Sequence, residues 1–285
     1  MTTYAVAGAT GQMGRLVLDA LLDKVEPGDV VALGRDTAKL DDFAARGVTV
    51  RAADYDRLET LAPALEGVDR LLLISGNALG ERPRQHAAVI DAAKEAGVGY
   101  IAYTSILDAP TTPIRLGGEH RATEQSLADS GIAHDLLRNG WYNENYFAAL
   151  PAQIEAGVIT GAQGDGRISS ASRADLAAGA AEVLVNGKGG EAYDLAGDES
   201  WTMAEFAEEV SRQTGKPVRY DNYDEAGYAR SLEDAGMPEV YARVVANSAY
   251  ATSQGALENN SRTLSRLIGR ATTPMRDTIA AMLGN

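Results

Sequence analysis

The chain contains no cysteine. Disulfides, thiolate catalysis and cysteine-ligated zinc or iron–sulfur centres are therefore excluded, and no metal site is expected. The absence also fits a reducing compartment. Positive charge is scarce. There are 26 Lys and Arg against 40 Asp and Glu, a formal net charge of −14. Such a surface repels nucleic acid and anionic lipid, so neither is expected as a partner. Lysine itself is confined to Lys24, Lys39, Lys94, Lys188 and Lys216, with none between residues 95 and 187. No apolar run reaches the length of about 18 residues that a membrane-spanning helix needs. The opening Met1-Thr-Thr-Tyr-Ala-Val-Ala-Gly8 has no basic segment and too short an apolar run for a signal peptide. The expected location is the cytoplasm.

What is present is ordinary globular composition: 285 residues, 45% apolar and 23% charged. Short apolar runs at Tyr4–Ala7, Val30–Gly34, Val48–Ala53, Arg70–Ser75, Tyr100–Ser105 and His134–Arg138 predict strands. Between them apolar residues recur at helical spacing, as at Leu16, Val17, Ala20 and Leu21. Leu71-Leu72-Leu73-Ile74 is apolar on both faces, as a central parallel strand should be. Gly47, Gly67, Gly97 and Gly131 each close a helical pattern before a strand. The alternation predicts an α/β, Rossmann-type doubly wound parallel sheet. Residues 1–142 form the dinucleotide-binding domain in this reading, with 161–197 returning to it. Residues 143–160 and 198–285 form a smaller, mainly helical lobe on the substrate side. Within these parts Asn143–Ala156 reads as helix and Gly161–Gly166 as glycine-rich loop, with further strands at Ala192–Leu195 and Val218–Asp221.

Gly8-Ala9-Thr10-Gly11-Gln12-Met13-Gly14 follows the first strand and opens a helix. The first glycine allows a sharp turn, the second lets backbone approach a pyrophosphate, and the third lets the helix pack on the strand. The helix N-terminus offers unpaired N–H groups to phosphate. The alternative is a tight turn with no ligand. Arg35 stands at the end of the second strand, where an NAD site usually carries an acid for the ribose 2′-hydroxyl. A guanidinium there pairs with a 2′-phosphate, which points to NADPH; the alternative is a solvated surface cation. Lys39 adds a second charge, and Asp36 reads as a helix cap. Asp54-Tyr55 is placed to bound the adenine, or Asp54 caps a helix.

None of the 12 tyrosines has a lysine four positions later. That pair is what lets a phenol exchange a proton with an alcohol or ketone, and protonating an alkoxide needs a strong positioned acid. A quinone demands less. Its reduced oxygen is phenolate-like, with a conjugate-acid pKa of about 10 by analogy with tyrosine, so hydrogen bonds and water suffice.

Gly8–Gly14, Leu72–Ser75, Ile101–Ser105 and Leu137-Arg-Asn-Gly-Trp-Tyr-Asn-Glu-Asn145 resemble the NmrA-like atypical short-chain dehydrogenases. The last segment, with Tyr193–Gly197 and Leu264–Gly269, is similar to the bacterial NADPH-dependent quinone oxidoreductases. The resemblance implies NADPH contacts from Gly8, Ala9, Thr10, Gly11, Gln12 and Met13, from Arg35, and from Ser75, Gly76 and Asn77. It adds Asn139, Gly140, Trp141, Tyr142, Asn143 and Glu144 after the sixth strand, with Ala171 closing over the cofactor from the second lobe. Related reductases carry a lysine four residues before the glutamate matched by Glu124, and here that residue is His120. His120 could bond the nicotinamide ribose or the substrate oxygen and titrate near neutrality, or be a histidine on the helix surface. Tyr142 and Trp141 could stack on planar ligands or pack in the core. Asn143 and Asn145 could donate to a quinone oxygen. His120, Tyr142 and Asn143 are the catalytic candidates, while His86 and His134 read as structural. The implied activity is hydride transfer from NADPH to a quinone without flavin. A regulatory NADP(H)-sensing protein without turnover and a reductase of an enone or another activated carbonyl remain alternatives. A homodimer is left open.

Overall fold

A computed structural model describes residues 1–284 of the chain. The elements run β1 (Tyr4–Ala7), α1 (Gln12–Leu22), β2 (Val30–Gly34), α2 (Asp41–Ala45), β3 (Thr49–Ala52), α3 (Leu61–Ala64), β4 (Arg70–Leu73), α4 (Arg82–Glu95), β5 (Tyr100–Ile106), α5 (Gly117–Ser130) and β6 (Ala133–Asn139). There follow α6 (Leu150–Ala156), β7 (Val158–Gly161), α7 (Arg173–Asn186), β8 (Ala192–Leu195), α8 (Met203–Thr214), β9 (Arg219–Asn222), α9 (Glu225–Asp234), α10 (Glu239–Thr252), α11 (Thr263–Ile268) and α12 (Met275–Leu283). Seven strands form one sheet in the order β3-β2-β1-β4-β5-β6-β8, and every pairing in it is parallel. This is the α/β, doubly wound Rossmann arrangement that the sequence predicts.

Side chains alternate across the strands, so each strand feeds two cores. Val6, Leu72, Ala102 and Leu137 pack with α1 and α7 on one face. Ala5, Ala7, Leu71, Leu73, Ile101 and Tyr103 pack with α3, α4 and α5 on the other. Leu71, Leu72 and Leu73 are each fully buried, as β4's central position requires. A third cluster, around Trp201, Phe206, Val210, Ile159 and Ile279, is built from later elements above the carboxyl ends of the strands. Gly131 ends α5 at φ 75°, and Gly47, Gly67 and Gly97 also have positive φ.

Three features depart from the sequence reading. Only Asn143–Tyr146 forms a 3-10 turn, and helix resumes at Leu150. Val158–Gly161 is a strand, paired in parallel with β9, where the sequence suggested a loop beginning at Gly161. And α11 returns to the large sheet: Leu264 joins the α1–α7 core, and a Cβ on Gly179 of α7 would lie 2.8 Å from Leu264 Cδ1. Among the described residues no helix is long and apolar enough to cross a membrane.

Chain order reverses between β1 and β4. In open α/β sheets a ligand crevice forms at such a switch point, beyond the carboxyl ends of the strands. The loops leaving β1 and β4 therefore open onto the same place.

Candidate active site

A cleft of about 550 Å³ occupies that switch point. Its floor is the glycine loop. Gly8 sits at φ +79°, a conformation that glycine adopts without a Cβ penalty. A Cβ on Gly14 would lie 2.3 Å from Gly8 O and 2.7 Å from Ala9 Cα, so only glycine lets α1 start this close to β1. Gly11 is the N-cap of α1 and supplies no side-chain cap. The first N–H groups of this 11-residue helix are left without a side-chain partner at the cleft floor. Thr10, Gly11, Gln12 and Met13 line the cleft with Gly8 and Gly14. Ala9 does not. It is fully buried, and its N–H donates to Leu33 O at 3.1 Å, closing β1 against β2 rather than meeting a ligand.

Arg35 lines one end of the cleft, exposed, with no hydrogen bond or ion pair to any described residue. Lys39 is differently placed: its ammonium pairs with Asp36 at 3.8 Å. Asp36 holds the N-cap position before the 3-10 turn Thr37–Leu40, but its side chain does not cap it. Asp54 and Tyr55 both line the cleft. The Asp54 carboxylate accepts the Asp56 N–H at 3.1 Å, a local turn. The Tyr55 hydroxyl is buried without a partner, and burial pushes its pKa well up, so the phenol stays protonated. Asp56 is gripped by Arg84 at 2.5 Å and Gln85 at 3.1 Å, which hold its carboxyl below the usual range.

The wall opposite is the loop after β4, where Ile74, Ser75, Gly76, Asn77 and Ala78 face the cleft. The Ser75 N–H donates to Thr104 Oγ1 at 2.8 Å and the Gly76 N–H to His86 Nε2 at 3.1 Å. The two amides are thus spent inside the protein, so Ser75 and Gly76 reach a cofactor through their other atoms. The Asn77 and Ala78 amides, the carbonyl oxygens and the side chains are what the loop has to offer.

His120 is neither surface-exposed nor titrating near neutrality, contrary to the sequence reading. It is 6% exposed, with Nε2 3.2 Å from Arg82 and Nδ1 2.8 Å from the Tyr103 hydroxyl. Burial, then the Arg82 charge, then His86 push its pKa down to about 3. His86 is fully buried, and burial followed by Arg82 lowers it to about 4. The unfolded rings take up protons near the ordinary value of 6.5, while the native rings do not until about pH 4 and below. Native protein therefore binds fewer protons in this window, and stability falls with acidification. Urea unfolding is expected to show full stability above about pH 6.5 and a loss on the order of 3 kcal/mol by about pH 4 from His86 alone. A loss that is the same in wild type and His86→Gln would contradict the assignment.

From the stretch that ends β6 and follows it, only Tyr142 lines the cleft. Asn139 is 5% exposed, and neither its side-chain oxygen nor its nitrogen has a partner. Native structures seldom leave such atoms unpaired without a ligand or water to take them. Tyr142 lines the cleft, and the Arg173 guanidinium lies 4.8 Å from its ring centroid. Burial raises the Tyr142 pKa, so its hydroxyl remains a proton-bearing donor.

The neighbours of Tyr142 serve packing. Trp141 packs against the third core, on the other side of an extended segment from Tyr142. The Gly140 N–H donates to Leu195 O at 2.7 Å, tying β6 to β8. Asn143 is fully buried, donating to Thr278 Oγ1 at 2.9 Å and accepting from Ser170 Oγ at 2.5 Å, which in turn accepts from Trp201 Nε1 at 3.0 Å. Its amide is engaged at both ends, fully buried and absent from the cleft lining, so its catalytic assignment is corrected. Ala171 is fully buried and pairs through its backbone with Trp141 and Asn143, so it closes over no cleft. The Glu144 carboxylate accepts the Arg173 N–H at 3.0 and 3.1 Å, and Asn145 accepts from the Arg173 guanidinium at 3.0 Å. Asn143→Ala is expected to cost about 1–3 kcal/mol, because it strands Ser170 and Thr278. Thermal melting reads this, and loss of turnover at unchanged melting temperature would instead restore a catalytic role.

Arg173 is a cleft-lining residue that sequence reasoning missed, as are Asp56, Ala78 and Gln85. The signal was there in Ser172-Arg173-Ala174-Asp175, since the Ser172 hydroxyl caps α7 by accepting the Asp175 N–H at 3.1 Å. That cap sets the first residue of α7, Arg173, at the rim beside Tyr142. Two guanidiniums, an open helix N-terminus and the unpartnered Tyr55 hydroxyl together fit an anionic dinucleotide.

Fold and cleft thus define a dinucleotide-binding protein, and the chain belongs to the NAD(P)H-binding family, which matches residues 8–187. Among its relatives, Quinone oxidoreductase 2 of Escherichia coli is 49% identical over 277 residues, 97% of each chain. The crystal structure of the E. coli NADPH-dependent quinone oxidoreductase QOR2 complexed with NADPH superposes with a TM-score of 0.97 at 48% identity, covering 99% of this chain and 100% of that one. The Citrobacter triphenylmethane reductase complexed with NADP(H) is 36% identical with a TM-score of 0.93, over 98% and 100% of the two chains.

Proposed function

We propose that this chain is an NADPH-dependent quinone reductase that passes hydride directly to its acceptor, without flavin. The observation that carries the reading is one continuous cleft with an unpaired Arg35 at one end and Tyr142 at the other, joined by the open N-terminus of α1. The 49% identity to a quinone oxidoreductase along 97% of the chain supports the choice of acceptor.

NADPH, when bound, supplies the hydride. Arg35 holds the 2′-phosphate by a charge-assisted fork, and the amides of Gln12 and Met13 meet the pyrophosphate. Arg173 adds positive charge at the Tyr142 end of the cleft. The buried Asn139 carboxamide sits beside the Tyr142 hydroxyl and orients it. The Tyr142 hydroxyl donates to the oxygen that becomes phenolate-like on reduction. That oxygen needs no strong acid, in keeping with a chain that has no lysine between residues 95 and 187. Positioning supplies most of the acceleration.

The acceptor is a small planar quinone. The enzyme acts in the cytoplasm, and a homodimer is compatible with the apolar side chains exposed on α10, Val240, Tyr241 and Val245. Anaerobic assay of quinone against NADPH is expected to show one-for-one consumption with hydroquinone as product. Preference for an enone or a triarylmethane dye over every quinone would reassign the acceptor. Binding of NADPH or NADP⁺ with no turnover at all would leave the sensing alternative.

A further inference from the structure

Three main-chain amides in and beside the loop between β4 and α4 are held by side chains of three different elements. Ser75 N–H donates to Thr104 Oγ1 of β5 at 2.8 Å, Gly76 N–H to His86 Nε2 of α4 at 3.1 Å, and Gly80 N–H to Glu119 Oε1 of α5 at 2.9 Å. Glu119 is itself paired with Arg82 at 2.8 Å. The held stretch includes the part of the cleft wall formed by Ser75, Gly76, Asn77 and Ala78. Thr104 and His86 are both buried, and of the two His86 grips the middle of the cleft-lining stretch.

The grip depends on which ring nitrogen carries the proton. His86 Nδ1 lies 3.0 Å from Thr123 Oγ1. The Thr123 hydroxyl donates its own proton to Glu119 O at 3.2 Å, so toward His86 it acts as an acceptor. Nδ1 must then hold the ring proton, and Nε2 is left with a lone pair aimed at the Gly76 N–H. Two independent partners select the same tautomer.

We propose that His86 is a positioning residue for the cofactor, acting through Gly76 to fix the wall of the NADPH cleft, with Thr123 setting its tautomer. This rests on the NADPH reading above. Without an acceptor at Nε2, the Gly76 amide must leave the interior to find water, and the loop moves into or away from the cleft with it.

The test separates the two ring nitrogens. In His86→Gln the amide oxygen stands in for Nε2 and keeps an acceptor for Gly76. In His86→Asn the shorter amide keeps the partner of Thr123 and abandons Gly76. Amide hydrogen exchange at Gly76, measured without cofactor, is expected to be slow in wild type and His86→Gln and fast in His86→Asn. The NADPH Kd of His86→Asn is expected to rise about tenfold, with KM for NADPH rising in step and kcat within about twofold. His86→Gln should stay within about threefold of wild type on each reading. Thr123→Val, which removes the tautomer-setting acceptor, should move Gly76 exchange and NADPH Kd in the same direction as His86→Asn. Unchanged Gly76 exchange in His86→Asn, or a His86→Gln variant as weak as His86→Asn, overturns the proposal while leaving the cofactor reading intact. A wild type that binds no NADPH overturns the cofactor reading instead and takes this one with it.

Discussion

Replacing Gly14 with alanine is expected to weaken NADPH binding on the order of a hundredfold and to lower the melting temperature by about 5 °C. The added Cβ would sit 2.3 Å from Gly8 O, 2.7 Å from Ala9 Cα and 2.9 Å from Gly8 C. All three are main-chain atoms, so no side chain can swing away. Either α1 backs off β1 or the Gly8–Gly11 turn opens. Both shift the helix N-terminus that faces the cleft, and overpacking of this kind costs about 1–3 kcal/mol before any loss of ligand contacts. Gly11→Ala serves as the milder comparison, since its Cβ would approach only Gly8 O, at 3.3 Å. Calorimetric titration and thermal melting of both variants check the order. Equal and small losses would mean that the glycine loop is a structural turn and the cofactor lies elsewhere.

The second large effect belongs to Arg35. Arg35→Ala is expected to lower NADPH affinity about 10- to 100-fold and to change NADH affinity by less than about threefold. The reason is that Arg35 lines the cleft and contacts no other charged group among the described residues, so its loss leaves the protein's own network untouched. Lys39 does not line the cleft, and its exposed ammonium lies 3.8 Å from Asp36 instead. Arg35→Lys should recover only part of the affinity, since an ammonium lacks the two-pronged geometry. Parallel losses for both cofactors would show that Arg35 does not read the 2′-phosphate.

How much of this was legible in the sequence depends on the range over which each feature is decided. Leu71-Leu72-Leu73 reads as a buried central strand because both faces are apolar over consecutive residues, and β4 lies fourth of the seven strands. The glycine loop is equally local. Val158–Gly161 was invisible as a strand because it is four residues long and pairs with β9, whose sequence lies about 60 residues further on. The segment 139–145 was legible as a unit but not residue by residue. Adjacent side chains on an extended segment point to opposite sides, and only the fold tells which of Trp141 and Tyr142 meets the cleft. Asn143 was misread for the same reason, since its partners Ser170 and Thr278 lie 27 and 135 residues away. His120 has the residue type of a catalytic base, but the ring's two nitrogens are taken by Tyr103 and Arg82. His86, set aside as structural, turns out to hold a wall of the cleft. Histidine type is local, whereas the groups that claim its nitrogens come from the loop after β4 and from α5.

The central claim is that the cleft binds NADPH and delivers hydride to a quinone. Steady-state oxidation of NADPH by purified protein, with 1,4-benzoquinone as the sole acceptor and NADH as the control cofactor, tests it most directly. Quinone-dependent NADPH oxidation is expected, with kcat/KM at least about tenfold above that for NADH, a ratio that collapses in Arg35→Ala. Tight NADPH binding with no quinone-dependent oxidation would contradict it.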